Sequence, residues 1–386
     1  MTASLIDRVR ERLAAEQGPL RPGVVAEAIR AESGGLLGDT EVLAGMRALH
    51  TELTGAGILD PLLRREGTTD VLVTGPDAVW VDCGNGLQRS EIRFPDEEAV
   101  RRLAQRLALT AGRRLDDSQP WVDGRLSCLG DDLVRLHAVL PPIAAAGTCI
   151  SLRVLRPARQ DLAALIGTGA IAAPAADLLR RIIAARLAFL VCGGTGAGKT
   201  TLLSAALGTV AAAERIVCVE DAPELAPRHP HVVKLVARGA NIEGVGEVTI
   251  RDLVRQALRM RPDRIVVGEV RGAEVVDLLT ALNTGHDGGA GTVHANSAAE
   301  VPARLEALAG LGGLDRAALH SQLAAAVQVV LHVGRGSGGA RRLTEIAVLG
   351  RGPLGWVTAE PAWHADRGFG SGAVKLAELL DQRSRP

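Results

Sequence analysis

Gly193-Gly194-Thr195-Gly196-Ala197-Gly198-Lys199-Thr200 fits the pattern G-x-x-x-x-G-K-[ST] at every fixed position. Immediately before it, Leu187-Ala188-Phe189-Leu190-Val191-Cys192 is an apolar run of strand length. Immediately after it, Thr201-Leu202-Leu203-Ser204-Ala205-Ala206-Leu207 reads as a helix that opens at the lysine. Strand, glycine loop and helix in that order predict a phosphate nest. The glycines let the backbone fold back so that several N–H groups point into one concavity. The helix N-terminus adds partial positive charge at the same place. In such a nest Lys199 reaches the β- and γ-phosphates and the Thr200 hydroxyl ligates Mg²⁺. The candidate binding residues are Gly193, Gly194, Thr195, Gly196, Ala197, Gly198, Lys199, Thr200 and Thr201, and the expected ligand is a nucleoside triphosphate.

Downstream, strand and helix patterns alternate. Strands are expected at 187–192, 215–220, 264–268, 290–294 and 327–333, and helices at 199–209, 249–259, 273–282, 298–309 and 315–326. That rhythm predicts a doubly wound α/β core with a mostly parallel sheet over residues 176–386. Its tail, from about 334, reads as a turn or flexible loop at Gly334–Gly339, a hairpin around Gly350–Gly355 and a short final helix. Upstream, residues 1–57 have helical spacing over 4–17, 23–32 and 40–55 and read as a helical leader. Residues 58–155 change texture, with short strands at 71–73, 78–81, 90–94, 134–140 and 149–154 and a helix over 96–111, which predicts a smaller, PAS-like α+β domain. Residues 156–175, bearing Ala, Gly and Pro, read as a connector with one short helical piece and as the candidate hinge.

Composition narrows the function classes. Hydrophobic residues make up 47% of the 386, as in a globular chain able to bury several cores. Formal net charge is zero and aromatics are 2%, which argues against a charged or stacking surface for nucleic acid. Basic residues are almost all arginine; the three lysines are Lys199, Lys234 and Lys375, so a lysine at 199 answers a need arginine does not meet. Cys83, Cys128, Cys149, Cys192 and Cys218 have no metal-ligand or C-x-x-C spacing, which predicts free thiols in a reducing compartment. With neither a signal-peptide core nor a bilayer-length apolar window, a cytoplasmic location is expected.

The carboxylates near the loop decide what chemistry is expected. Arg215-Ile216-Val217-Cys218-Val219-Glu220 ends in Glu220, and the strand at 264–268 runs into Glu269. Residues at the carboxyl ends of parallel strands face the ligand crevice. Glu220 and Glu269 are therefore expected beside the γ-phosphate, where with Thr200 they organise Mg²⁺ and orient or deprotonate water. Which of the two is the general base stays open. His286 and His294, in the polar stretch Asn283–Ser297, are both expected as sensors of the γ-phosphate. The run Gly288-Gly289-Ala290-Gly291 is expected as a mobile loop.

At these residues the chain resembles a known family. The set Gly193–Thr200, Glu220…Glu224, Arg259-Met260-Arg261-Pro262-Asp263-Arg264 with Gly268-Glu269-Val270-Arg271-Gly272, and Thr284–Gly288 with Thr292…His294-Ala295-Asn296 is similar to the Walker A, Asp box, Walker B and His box of type II and type IV secretion ATPases. Gly112–Asp116, Asp123-Gly124-Arg125-Leu126 and Pro141-Pro142 extend the likeness, which spans roughly 58–335 and most resembles the TadA/CpaF branch that drives tight-adherence (Flp) pili. The resemblance implies a RecA-like core, ATP with Mg²⁺, a homo-hexameric ring, integral inner-membrane platform proteins as partners, and a place at the cytoplasmic face of the inner membrane. It also implies arginines of the smaller domain completing the site, Arg125 and Arg135 first and Arg153 after them. Two other readings stay in play: a nucleic-acid translocase or conjugation-type ATPase with the same core, and a nucleotide-gated scaffold with little turnover. Neither the guanine-reading N-K-x-D nor the L-S-G-G-Q signature of transporter ATPases is present.

Overall fold

The computed structural model describes residues 8–9, 12, 22–35, 37–43, 45–46, 55–84, 86–127, 133–241, 243–335 and 339–383. Most of the helix expected over 4–17, the far end of that over 40–55, and residues 128–132 with Cys128 lie outside them. The chain divides into two compact units, Met1–Arg156 and Pro157–Pro386.

In the first unit, helix α1 (Pro22–Glu32) buries Ala28 and Ile29 with Val9 and Val42 in a small core of its own. After the short helix α2 (Asp60–Arg64) come β1 (Asp70–Thr74), β2 (Val79–Asp82), β3 (Leu87–Arg89), α3 (Glu97–Thr110), β4 (Trp121–Leu126), β5 (Leu133–Val139) and β6 (Cys149–Leu155). The strands form one antiparallel sheet in the order β3-β2-β1-β6-β5-β4. Alternate residues of β5 are buried, the pattern of a sheet with one wet face. Helix α3 covers the dry face with Val100, Leu103, Ala104, Leu107 and Ala108, and Asp96 caps it by accepting from the Ala99 N–H at 2.7 Å.

One local expectation misses here. Residues 90–94 form no strand: Phe94 is buried and its N–H donates to the Pro76 carbonyl, so side-chain anchoring, not a ladder, produced the apolar alternation. The strand lies just before, at β3, whose residues are all exposed and carry no burial pattern to read.

The second unit contains α4 (Leu162–Gly167), α5 (Ala173–Ala184), β7 (Phe189–Cys192), α6 (Lys199–Leu207), β8 (Ile216–Glu220), β9 (Val232–Val236), α7 (Ile250–Ala257), β10 (Arg264–Val270), α8 (Glu274–Leu282), β11 (Ala290–Val293), α9 (Val301–Leu311), α10 (Arg316–Ala326), β12 (Val329–Arg335), β13 (Arg341–Arg351), β14 (Val357–His364), β15 (Gly368–Phe369) and α11 (Ala373–Arg383). Strand order is β15-β14-β13-β12-β7-β11-β10-β8-β9. The run from β12 to β9 is parallel and the remaining strands are antiparallel. One face packs against α4, α5, α6 and α11, the other against α7 to α10. This is the doubly wound, mostly parallel core expected. The short helical piece expected in the connector is α4, and the stretch's Leu162, Leu165 and Ile171 are buried in the first of those two cores.

Because the central strands are parallel, their carboxyl ends share one edge of the sheet. The phosphate loop, Glu220, Glu269 and His294 all lie at that edge. The opposite edge is a structural anchor. Arg264, only 1% exposed, donates to Glu214 at 2.9 and 3.1 Å and to the Ile183 and Gly288 carbonyls at 2.8 and 3.2 Å.

His286 belongs to that second edge. It precedes β11, with Nδ1 3.1 Å from the Ala281 carbonyl, so it stands at the wrong end of the sheet to sense a γ-phosphate. Fewer than ten residues separate it from His294, but a strand intervenes and carries them apart. The glycines beside it are packed rather than loose. A Cβ at Gly288 would stand 2.6 Å from Arg264 Nη1, and one at Gly291 3.1 Å from the Val267 carbonyl.

Candidate nucleotide site

The loop after β7 turns as the glycines allow. Gly193, Gly196 and Gly198 have φ of 151°, 69° and 100°. A side chain at Gly193 would run into the Val333 carbonyl of β12, so the loop hugs the neighbouring strand. Gly198 is the N-cap of α6 and supplies no capping side chain, which leaves the first N–H groups of the helix for a ligand. By contrast, Thr249 and Asp252 close the start of α7 with a reciprocal capping box.

Lys199 is buried, and its ammonium donates to the Gly193 and Gly194 carbonyls, both at 3.0 Å. Burial lowers its pKa, with the Glu269 carboxylate opposing that effect. Nζ also stands 3.3 Å from His294 Nδ1, while His294 Nε2 is 2.6 Å from Glu269 Oε1. Burial, reinforced by Lys199, lowers the His294 pKa and favours the neutral ring. Arg271 completes the cluster by donating to Glu269 Oε2. Ammonium, imidazole, carboxylate and guanidinium thus form one chain across the ends of β7, β10 and β11.

Glu269 reaches this position through an irregularity. The pairing of β10 with β11 shifts register between Val267 and Val270, a bulge that re-aims the glutamate. Thr292, buried on β11, donates its hydroxyl to the Gly268 carbonyl at 2.7 Å and holds the bulge. Glu220, at the end of β8, is 3% exposed. Its Oε1 accepts from the Glu224 and Leu225 N–H groups at 3.1 and 2.8 Å, while Oε2 is buried without a hydrogen-bond partner. Burial pushes its pKa up to about 7.

These residues fit a nucleotide with Mg²⁺. A buried, half-satisfied carboxylate at the same edge of the sheet as a bare nest of N–H groups is what a cation and its phosphate would complete. The N–H groups of 193–201 and Lys199 would hold phosphate oxygens. Thr200, Glu220 and Glu269 would hold the metal directly or through water. When bound, Mg²⁺ neutralises charge on the phosphate oxygens.

In the first unit, Arg125, Arg135 and Arg153 are direct cross-strand neighbours on β4, β5 and β6. Arg153 donates to Asp70 at 2.8 Å, and Arg135 lies 3.7 Å from Asp123. Sequence reasoning gave no role to Arg271 or Thr292. Arg271 had a local signal, its position two residues after Glu269. Thr292 stood in the His box, but its role was not readable there because its partner is a backbone carbonyl on another strand.

The fold and site are those of a phosphate-loop nucleotide-binding protein with a RecA-like core. The profile of the Type II/IV secretion system protein family matches residues 52–341, and the chain belongs to that family. It is 74% identical over 351 residues to a putative conjugal transfer protein of Mycobacterium tuberculosis, covering 90% of this chain and 99% of that one. It is 32% identical over 321 residues to the type IV secretion system protein PtlH of Bordetella pertussis, covering 75% of this chain and 92% of the relative. Its fold is similar to that of the pilus retraction motor PilT, solved with bound ADP, at a TM-score of 0.53 and 21% identity over 78% of this chain and 84% of PilT. Among the described residues, no helix is long and apolar enough to cross a membrane.

Proposed function

We propose that this chain is a Mg²⁺-dependent ATPase that works as a homo-hexameric motor of a type II/IV secretion or pilus-assembly machine. It would act at the cytoplasmic face of the inner membrane on integral platform proteins, as the likeness to the tight-adherence branch suggests. One observation carries the reading: Glu269 is joined to Lys199 of the phosphate nest through His294, and Glu220 ends a second strand at the same edge of the sheet. A pure binding scaffold has no need of the two glutamates. In hydrolysis Lys199 draws charge from the phosphates, and a strand-end glutamate holds the attacking water and takes its proton. His294, neutral and pressed between Lys199 and Glu269, keeps the two charges apart and aligned.

A second reading has its own support. The 74% identical relative is named as a putative conjugal transfer protein, which favours a conjugation-type ATPase with DNA as the transported cargo. The neutral charge and few aromatics of this chain oppose direct strand binding. Phosphate release from the purified full chain with ATP and Mg²⁺ tests both. Turnover lost in Lys199→Ala and unmoved by added DNA supports the motor. Turnover that DNA raises severalfold, with salt-sensitive binding, favours the conjugative reading. Wild-type turnover in Lys199→Ala would refute the site.

A further inference from the structure

The hairpin of β12 and β13 brings two arginines to the phosphate loop that none of the four sequence boxes contains. A Cβ built on Gly196 would stand 3.9 Å from Arg335 Nη2, and one on Gly198 3.7 Å from Arg341 Cδ. The two lie on opposite flanks of the loop. Arg341 lines a cleft of about 330 Å³ together with Gly198, Thr201, Leu165 and Ile171. Arg335 lines a second cavity of about 590 Å³ with Gly194, Thr195, His332 and Glu345. Both side chains are exposed. Among the described residues neither has an ion-pair or hydrogen-bond partner, whereas their neighbour Arg342 is held by Asp366 at 2.9 Å.

Like charges gathered in one place repel one another. Here two guanidiniums, the Lys199 ammonium and the positive end of α6 surround the same backbone nest. A polyanion turns that repulsion into binding energy, because guanidinium donates planar pairs of hydrogen bonds to phosphate oxygens. We propose that Arg335 and Arg341 form a clamp from the same chain that straddles the phosphate loop and grips the polyphosphate from both sides. The inference rests on the nucleotide reading of the site. The apolar lining of the cleft suits a base and ribose, so the phosphates run from the cleft along the loop towards Glu269. That direction sets the roles. Arg341, at the mouth of the cleft, takes the α-phosphate end. Arg335, on the far flank beside Gly194 and Thr195, takes the γ-phosphate end.

Equilibrium binding of fluorescent ATP and ADP analogues with Mg²⁺ to the full chain tests this. Arg341→Ala should weaken both nucleotides about tenfold or more, as for a lost hydrogen bond to a charged group. Arg335→Ala should weaken ATP by a similar factor and ADP far less. Arg335→Lys and Arg341→Lys should recover part of the loss. Unchanged melting temperatures without nucleotide, expected for exposed side chains, would separate the clamp from a structural role; a fall in either melting temperature counts against it. Wild-type affinities in both alanine variants, with binding lost in Lys199→Ala, would overturn the clamp and leave the site standing. Wild-type binding in Lys199→Ala would overturn the site itself, and the clamp with it.

Discussion

A Cβ on Gly268 would stand 2.7 Å from Glu220 Cγ, so the backbone of β10 and the side chain ending β8 occupy space that only a glycine leaves open. Glu220 cannot swing aside cheaply, because its Oε1 is fixed by the Glu224 and Leu225 N–H groups. Gly268→Ala should therefore displace either the carboxylate or the bulge that carries Glu269. ATP turnover is expected to fall at least tenfold while nucleotide affinity changes little, since the phosphate nest lies on β7 and α6. A substitution that left kcat at the wild-type level would show that the spacing of the two glutamates does not matter.

Glu220 also writes a pH dependence into stability. Its pKa rises from 4.5 to about 7 on folding, with burial as the main cause. The folded chain thus holds a proton that the unfolded chain has released between those values. Stability from this group is full below about pH 4.5 and is lost as pH rises through 7, by at most about 3 kcal/mol. Chemical denaturation without nucleotide at pH 5 and pH 8 should show wild type losing more stability than Glu220→Gln over that interval. A bound cation reverses the preference, so Mg²⁺ with nucleotide should shrink the difference. Parallel curves for the two proteins would contradict the burial argument.

The phosphate loop was legible because its chemistry is local: loop, strand and helix are contiguous, and the glycines must sit at fixed offsets. The two glutamates were legible because they end apolar runs, and a parallel sheet sends such ends to one edge. His286 was misplaced because nearness in sequence says nothing about which end of a strand a residue occupies. Arg264 sits inside a recognised box, yet only the structure assigns it to the anchoring edge. Strand β4 went unread because Trp121 is exposed and Gly124 and Arg125 interrupt its alternation, and β9 because its residues are only half buried at the sheet edge. Gly334–Gly339 reads only as a turn or flexible loop in the sequence, and the place of Arg335 and Arg341 beside the phosphate loop follows from the pairing of β12 with β13.

Arg264 supports the fold rather than the chemistry, and the two roles separate by experiment. Its guanidinium meets Glu214 and two backbone carbonyls inside the protein. Arg264→Met would leave the Glu214 carboxylate without its main partner, a loss of about 3–5 kcal/mol. For a unit of this size that corresponds to roughly 10 °C in melting temperature. Below the transition, ATP affinity and kcat should stay near wild type, because the residue stands at the edge away from the phosphates. A variant that melts normally but fails to turn over would place Arg264 in the chemistry instead.

The arginine row of the first unit makes the sharpest kinetic prediction. Side by side on β4, β5 and β6, Arg125, Arg135 and Arg153 put three positive charges on one face, an arrangement that costs stability unless anions answer it. Asp70 answers Arg153 at 2.8 Å, and Asp123 approaches Arg135 at 3.7 Å. If the row meets the γ-phosphate of a nucleotide in the assembled ring, loss of one guanidinium should slow the chemical step more than it weakens binding. Arg125→Ala is expected to lower kcat by on the order of a thousandfold with ATP binding nearly intact, as for an arginine that acts only on the transferring phosphoryl group. Arg135→Ala should fall between, and Arg153→Ala should be close to silent because its charge is already spent on Asp70. The split between kcat and KM is the decisive readout. If Arg125→Ala raises KM and leaves kcat alone, the arginine holds the ground-state nucleotide and has no part in the transition state.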